Sequence, residues 1–207
     1  MIHPITLNGR QAVLIMALPE IGKRVHLSST PKTGRTTFCL QQAREHISSG
    51  RRVIWGSEEM PDNVRFSQIF SELDIAAASR FHAMNTGGEF SRALKEISRA
   101  SELLPGVSLV VIDDWAPVQG RPPKGRISAV KRLNEEIDDD CILLLTSSAY
   151  SDASGAEELK ARASKQLESL GFTTWFIKRE HDDSRRTLSS SEIQYQLQLE
   201  ESGFKTV

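Results

Sequence analysis

No stretch of this chain approaches the roughly 20 apolar residues that cross a bilayer, and its first residues lack a signal-peptide profile. Both absences point away from a membrane and predict a cytoplasmic protein. Cysteine is scarce: Cys39 and Cys141 each sit in an apolar segment, neither with a partner at metal-ligand spacing. They read as buried free thiols in a reducing compartment. Charge of one sign is also missing. With 26 Lys and Arg against 27 Asp and Glu the net charge is −1, which argues against coating nucleic acid by bulk charge and leaves only local basic clusters. His82 and His181 have no neighbours that would make them ligands. What remains is 207 residues with an ordinary apolar share, enough for one substantial core.

Strand-like and helix-like segments alternate along the chain. Arg24 to Ser28 alternates as a strand does, and Thr37 to Ile47 places Phe38, Leu40, Ala43 and Ile47 at helical spacing. Ser48-Ser-Gly50 stops that helix, and Arg52 to Trp55 follows as a strand in which Trp55 extends the apolar run. Pro61 opens a helix carrying Val64, Phe66, Ile69, Phe70 and Leu73. Phe81 to Met84 reads as a short strand, and Glu89 to Leu104 as a helix ended by Pro105-Gly106. Ser108 to Ile112 and Cys141 to Leu145 are apolar runs of the kind buried on both faces of a parallel sheet, with a helix from Ile127 to Ile137 between them. Ala12 to Leu18 suits a helix or a strand. The rhythm predicts an α/β fold: a mainly parallel sheet flanked by helices, with right-handed crossovers. Thr173 to Lys178, Arg185 to Leu188 and Ile193 to Leu199 read instead as antiparallel strands joined by polar turns. One domain is expected over residues 1–207, with 1–23 as a lead-in and 173–207 as a C-terminal β-hairpin region.

Between the first strand and helix lie Ser29, Thr30, Pro31, Lys32, Thr33, Gly34, Arg35, Thr36 and Thr37. They follow the phosphate-binding pattern G-x-x-x-x-G-K-[ST], except that Ser29 replaces the first glycine and Arg35 the lysine. The opening N–H groups of a helix have no internal partners, and the positive end of its dipole favours phosphate. Gly34 supplies a permissive backbone and the Thr36 hydroxyl is a candidate magnesium ligand. Arg35 keeps the charge but presents a wide planar fork where a lysine is a compact point. Ser29 would be strained if its place requires positive φ. Nucleotide binding is the leading expectation and hydrolysis is open.

Two acidic pairs follow strands. Asp113-Asp114 ends the apolar run at Ile112, where a carboxylate faces the ligand crevice of an open α/β sheet and can organise magnesium. Glu58-Glu59 follows the strand containing Trp55. Either acid can polarise a water for attack on a terminal phosphate, or both can serve the N-terminus of the next helix.

Thr33-Gly-Arg-Thr-Thr-Phe-Cys-Leu-Gln-Gln-Ala43, then Gly50 to Glu59, then Leu109 to Asp114, then Ile142 to Asp152 stand in the order of elements found in RecA-superfamily ATPases. The chain resembles most the archaeal RadA paralogues, RadB-like proteins, and KaiC-like proteins, over about Lys23 to Phe204. The resemblance implies a RecA-like P-loop NTPase core that binds ATP and Mg2+, with Thr36 and Asp113 at the metal and Glu58 or Glu59 as the water-activating acid. It implies that Ser147 and Ser148 occupy the γ-phosphate sensor, where relatives carry Asn and Gln. It also places a DNA-facing loop after Ser151, with Lys160, Arg162 and Lys165 as candidate contacts to single-stranded DNA; helical spacing from Ala156 to Leu170 makes a solvated helix face the other reading. In oligomeric relatives, basic residues on a late strand reach a neighbour's nucleotide, which singles out Lys178 and Arg179, although surface charge explains them too. Gln119 to Arg126 reads as a flexible basic loop. No recombinase DNA-binding domain or oligomerisation motif is expected before residue 24. The expected function is a weak or lost ATPase that assists DNA recombination or repair through a RecA/RadA-type recombinase, self-association or DNA. A nonenzymatic scaffold or regulatory subunit is the alternative, and a KaiC-like or motility-associated ATPase a further one.

Overall fold

The computed structural model describes residues 18–151 and 159–207. Of the apolar segment from Ala12, only Leu18 falls within them. The first described strand, β1 (Arg24–Ser29), is buried from Val25 onward and leads into α1 (Arg35–Ser48). Phe38, Leu40, Ala43 and Ile47 of α1 are all buried, as their spacing requires. Gly50, at φ +83, turns the chain out of the helix and into β2 (Arg52–Ser57). Asp62, one residue after Pro61, accepts the Arg65 N–H and caps α2 (Asn63–Phe70). Asp74 caps a short helix unforeseen in the sequence, α3 (Ile75–Ala78). The alternation continues through β3 (Phe81–Asn85), α4 (Phe90–Leu103), β4 (Val107–Ile112), α5 (Lys124–Glu136) and β5 (Ile142–Ser148). Lys124 to Arg126 therefore form the first turn of α5 and not the end of a flexible loop.

After β5 the chain makes a two-residue antiparallel pair, β6 (Tyr150–Ser151) with β7 (Leu159–Lys160), and then α6 (Ser164–Glu168). Of the segment with helical spacing from Ala156, residues 156–158 lie outside the described residues, Leu159 and Lys160 are extended, and Ser164–Glu168 is helical. The tail carries β8 (Thr173–Arg179), β9 (Arg185–Ser189), β10 (Gln194–Glu200) and β11 (Gly203–Thr206). The antiparallel pairing expected from Thr173 onward is present between β8 and β9 and between β9 and β10, while the other edge of β8 runs parallel to β1. A fourth strand, β11, pairs antiparallel with β10.

Among the described residues the main sheet has nine strands in the order β11-β10-β9-β8-β1-β5-β4-β2-β3. Pairing is parallel from β8 across to β3. Residues on one strand alternate between faces. Val25, Leu27, Val111 and Leu144 pack with Phe38, Leu40 and Ile47 of α1 on one face. Ile54, Val110, Leu143 and Leu145 meet Leu94, Ile97, Val130 and Leu133 of α4 and α5 on the other. Trp55 is fully buried in the first cluster, and both cysteines are buried free thiols. Among the described residues no helix is long and apolar enough to cross a membrane. The fold brings the carboxyl ends of β1, β5, β4 and β2 side by side, which places the loop after Ser29 and the acids after Ile112 on one edge.

Candidate functional site

The loop from Ser29 has the backbone of an anion cradle. Lys32 and Gly34 take left-handed conformations, φ 62 and φ 100. Ser29 is not left-handed, so the strain considered for a serine at that place does not arise; Ser29 is the buried last residue of β1. Gly34 stands at the N-terminus of α1, which has no side-chain cap and no acid in its first turn. Among the described residues the N–H groups from Thr33 to Thr37 donate to nothing, and the first with a partner is Phe38, bonded to the Gly34 carbonyl at 2.9 Å. A run of orphan donors at a helix start is a site for a phosphate oxygen. The Thr36 hydroxyl also has no partner among the described residues, while Thr33 Oγ donates to the Thr30 carbonyl and steadies the loop. The glycine at position 34 is required twice over. Its φ excludes most side chains, and a Cβ there would stand 2.6 Å from Cζ of Phe204 in β11.

Arg35 departs from what a phosphate-seeking lysine would do. Its guanidinium makes a 2.5 Å ion pair with Asp114, and the Arg35 side chain is only 13% exposed. Asp114 itself is left-handed, φ 51. Its N–H donates to Thr146 Oγ at 2.9 Å, and Thr146 Oγ in turn donates to Asp113 at 2.5 Å. Thr146 thus locks both acids in place. Asp113 is nearly buried, which pushes its carboxyl above the usual range, while the Thr146 hydrogen bond and the Arg35 charge pull the other way.

Strand alternation separates the two expected sensor residues. Thr146 and Ser148 share the α1 face with Leu144, whereas Ser147 points to the opposite face and is fully buried. Ser147 Oγ is 2.8 Å from His26 Nε2 and 3.3 Å from Ser28 Oγ, inside the core. Trp115 Nε1 also donates to His26 Nε2, at 3.4 Å. Burial, and then the charge of Arg35, hold the His26 imidazole down to about 3, so it is neutral. Ser147 is therefore part of a buried polar network beneath the site, and the residue facing Asp113 is Thr146. The alternation of Thr146-Ser-Ser148 carried that signal in the sequence.

Glu58 and Glu59 lie exposed just beyond β2. The Glu58 carbonyl accepts from Asn85 Nδ at 3.3 Å. The alternative role at the next helix is filled by Asp62, with no acid in the first turn of α2. Of the candidate DNA contacts, Lys160 lies on β7 opposite Tyr150, and Lys165 is exposed on α6. Arg162 is turned inward on its own chain: it donates to the carbonyls of Gly120 and Val118 at 2.8 and 2.5 Å and stacks 4.3 Å above the Tyr150 ring. Arg179 meets its own chain too, donating to the Lys32 carbonyl at 2.8 Å; Lys178 is half-buried beside it on β8. Sequence reasoning missed Arg65. From α2 it donates to Thr37 Oγ at 2.9 Å and to the carbonyls of Glu200 and Glu201 at 3.1 and 2.7 Å. No local pattern announces such a bridge.

No protein-family model matches the chain, and no curated protein matches it in sequence. Solved structures do. The chain is similar to the RadB recombinase with a TM-score of 0.69 at 16% identity, covering 90% of this chain and 93% of that one. It is similar to a KaiC-like protein from Pyrococcus horikoshii (TM-score 0.65, 14% identity, 89% of each chain). A DnaB-like replicative helicase matches at TM-score 0.64 and 14% identity over 88% of this chain, which spans 59% of that one. The fold is RecA-like.

The donor set fits a triphosphate with its metal: a cradle of N–H groups and a threonine hydroxyl without partners among the described residues, and a buried acid. Bound magnesium supplies charge neutralisation on the phosphates, and Thr36 and Asp113 are the residues that would hold it.

Proposed function

We propose that this chain binds a magnesium nucleoside triphosphate, ATP by its RecA-like fold, at the loop Ser29–Thr37, and turns it over slowly or not at all. In this reading it acts as an accessory factor in DNA recombination or repair, through a recombinase, self-association or DNA. One observation carries it: the backbone of the loop is shaped for phosphate while Arg35, in the lysine place, is ion-paired to Asp114 at 2.5 Å. Binding is supported by the free N–H groups from Thr33 to Thr37. Slow turnover is supported by the engaged charge of Arg35, because catalysis of phosphoryl transfer is almost wholly positioning and electrostatic stabilisation. The same ion pair favours a second reading, a scaffold that has kept the fold and given up turnover.

Titration of the purified protein with a fluorescent ATP analogue and magnesium, followed by phosphate release with and without single-stranded DNA, separates these readings. Saturable binding below about 1 mM, the upper end of ordinary KM values, with turnover that rises in Arg35→Lys, is the expected result. An absence of saturable binding overturns the nucleotide reading and favours the scaffold. Binding with a rate unchanged in Arg35→Lys overturns the role given to Arg35.

A further inference from the structure

Arg179 of β8 and Arg186 of β9 are direct cross-strand partners. Like charges placed opposite one another destabilise a sheet, and here one of the pair is almost wholly inaccessible: Arg186 is 2% exposed. Among the described residues Arg186 has no carboxylate partner. It donates through Nε to the Thr33 carbonyl at 2.9 Å, and through Nη1 to the carbonyls of Asp183 and Arg185 at 2.6 and 2.8 Å. Arg179 holds the Lys32 carbonyl at 2.8 Å and has a 3.4 Å contact to the exposed Asp183. A buried guanidinium satisfied only by carbonyls is costly unless something else requires it. Both arginines converge on consecutive carbonyls of one loop, the loop that carries the left-handed Lys32 and Gly34.

Peptide geometry says what this convergence does. In a planar trans peptide the C=O and the following N–H point in opposite directions. Drawing the Lys32 and Thr33 carbonyls toward β8 and β9 therefore turns the N–H groups of Thr33 and Gly34 away from those strands. These two N–H groups open the run without protein partners. We infer that Arg179 and Arg186 are positioning residues that clamp the phosphate loop from behind, within one chain, and aim the N–H groups of Thr33 and Gly34 at the phosphates of the ligand. The inference rests on the nucleotide reading for its ligand, but the clamp on the loop is observable without one.

The test uses the full chain, 15N-labelled, as wild type, Arg179→Lys, Arg179→Gln and Arg186→Lys. Amide shifts of Lys32, Thr33 and Gly34 are recorded without ligand, and inorganic tripolyphosphate with magnesium is then titrated at several salt concentrations. The lysine variants keep the charge and lose the planar fork, so a purely electrostatic role predicts affinity like the wild type. Positioning predicts that the loop amides shift in all variants, and that both lysine variants bind tripolyphosphate roughly tenfold more weakly with an unchanged salt slope. Arg179, whose side chain is 45% exposed, serves if Arg186→Lys fails to fold. Loop amides unmoved in Arg179→Gln, or lysine variants that bind as the wild type does, overturn the inference. A wild type that takes up no tripolyphosphate overturns the nucleotide reading, and the ligand-free amide shifts still decide the clamp.

Discussion

At the residue scale, the ion pair between Arg35 and Asp114 sets how easily an anion can enter. Asp114 is 53% exposed at its side chain, and ion pairs with a solvated partner stabilise by roughly 0–1 kcal/mol. A triphosphate can enter through the N–H groups that the pair leaves free, so Asp114 weakens binding only modestly while it keeps the Arg35 charge engaged. Asp114→Asn should keep the left-handed turn, which asparagine tolerates, and the N–H bond to Thr146, while releasing the guanidinium. Affinity for a fluorescent ATP analogue is expected to rise by up to about fivefold, the equivalent of roughly 1 kcal/mol; equal or weaker binding would mean that Asp114 does not compete. The residue beneath the loop sets a pH dependence. His26 has a folded value of about 3 against an ordinary 6.5, so the native state binds its proton less readily than the unfolded chain. Its contribution to stability is complete above 6.5 and is lost as pH falls from there toward 3. Asp113, held above 3.8 by burial, has the opposite sign: its contribution is present below 3.8 and lost as pH rises through its folded value. Urea unfolding should show stability falling by about 1.4 kcal/mol per pH unit below 6.5 from His26 alone. His26→Gln, which retains an acceptor for Trp115 and Ser147, should flatten that slope; an unchanged slope would assign the acid sensitivity elsewhere.

At the element scale, the phosphate loop is supported by strands that come late in the chain. Gln41 of α1 serves β11 as a neighbouring strand would: its Nε donates to the Phe204 carbonyl at 2.8 Å and its Oε accepts the Phe204 N–H at 2.7 Å. Phe204 is thereby held against Gly34 and Phe38. Gln41 is 1% exposed, so Gln41→Leu leaves both Phe204 backbone groups buried and unpaired. The expected cost is about 2–4 kcal/mol in chemical denaturation, with faster exchange of the Phe204 amide than of β4 amides; a cost under about 0.5 kcal/mol would show that water replaces the side chain. This support was largely illegible beforehand. The apolar runs at Leu109–Ile112 and Leu143–Leu145 announce buried parallel strands because their pattern is local. Nothing in Thr173–Lys178 says that its partner is β1, 148 residues earlier at Val25 and Thr173, and the links from Arg179 to Lys32 and from Arg186 to Thr33 span 147 and 153 residues. The candidate loop, its glycine and Asp113 were therefore readable, while the groups that shape them were not. Asp74 as a cap was readable in principle, yet the helix it starts is a single turn with no apolar period.

At the scale of the whole molecule, the charge balance bounds what DNA binding can look like. With a net charge of −1, no long-range field draws a polyanion to the surface, and affinity for a single strand has to come from local cations. The candidate set is Lys160, Arg162 and Lys165, and each neutralised phosphate contributes about −0.7 to the slope of log K against log salt. Three contacts give a slope of about −2. Arg162 is already committed, with its guanidinium on the Val118 and Gly120 carbonyls and over the Tyr150 ring; removing it should loosen the loop after β4 before it changes any phosphate contact. Lys165, exposed on α6, carries no such duty. Fluorescence anisotropy with labelled single-stranded DNA across a salt series should therefore give a slope between about −1 and −2, shallower by about 0.7 in Lys165→Ala with the melting temperature unchanged. Arg162→Ala should instead lower the melting temperature. A slope steeper than about −3, or one indifferent to Lys165, would require more cations than this edge of the sheet provides and would move the DNA surface to another face.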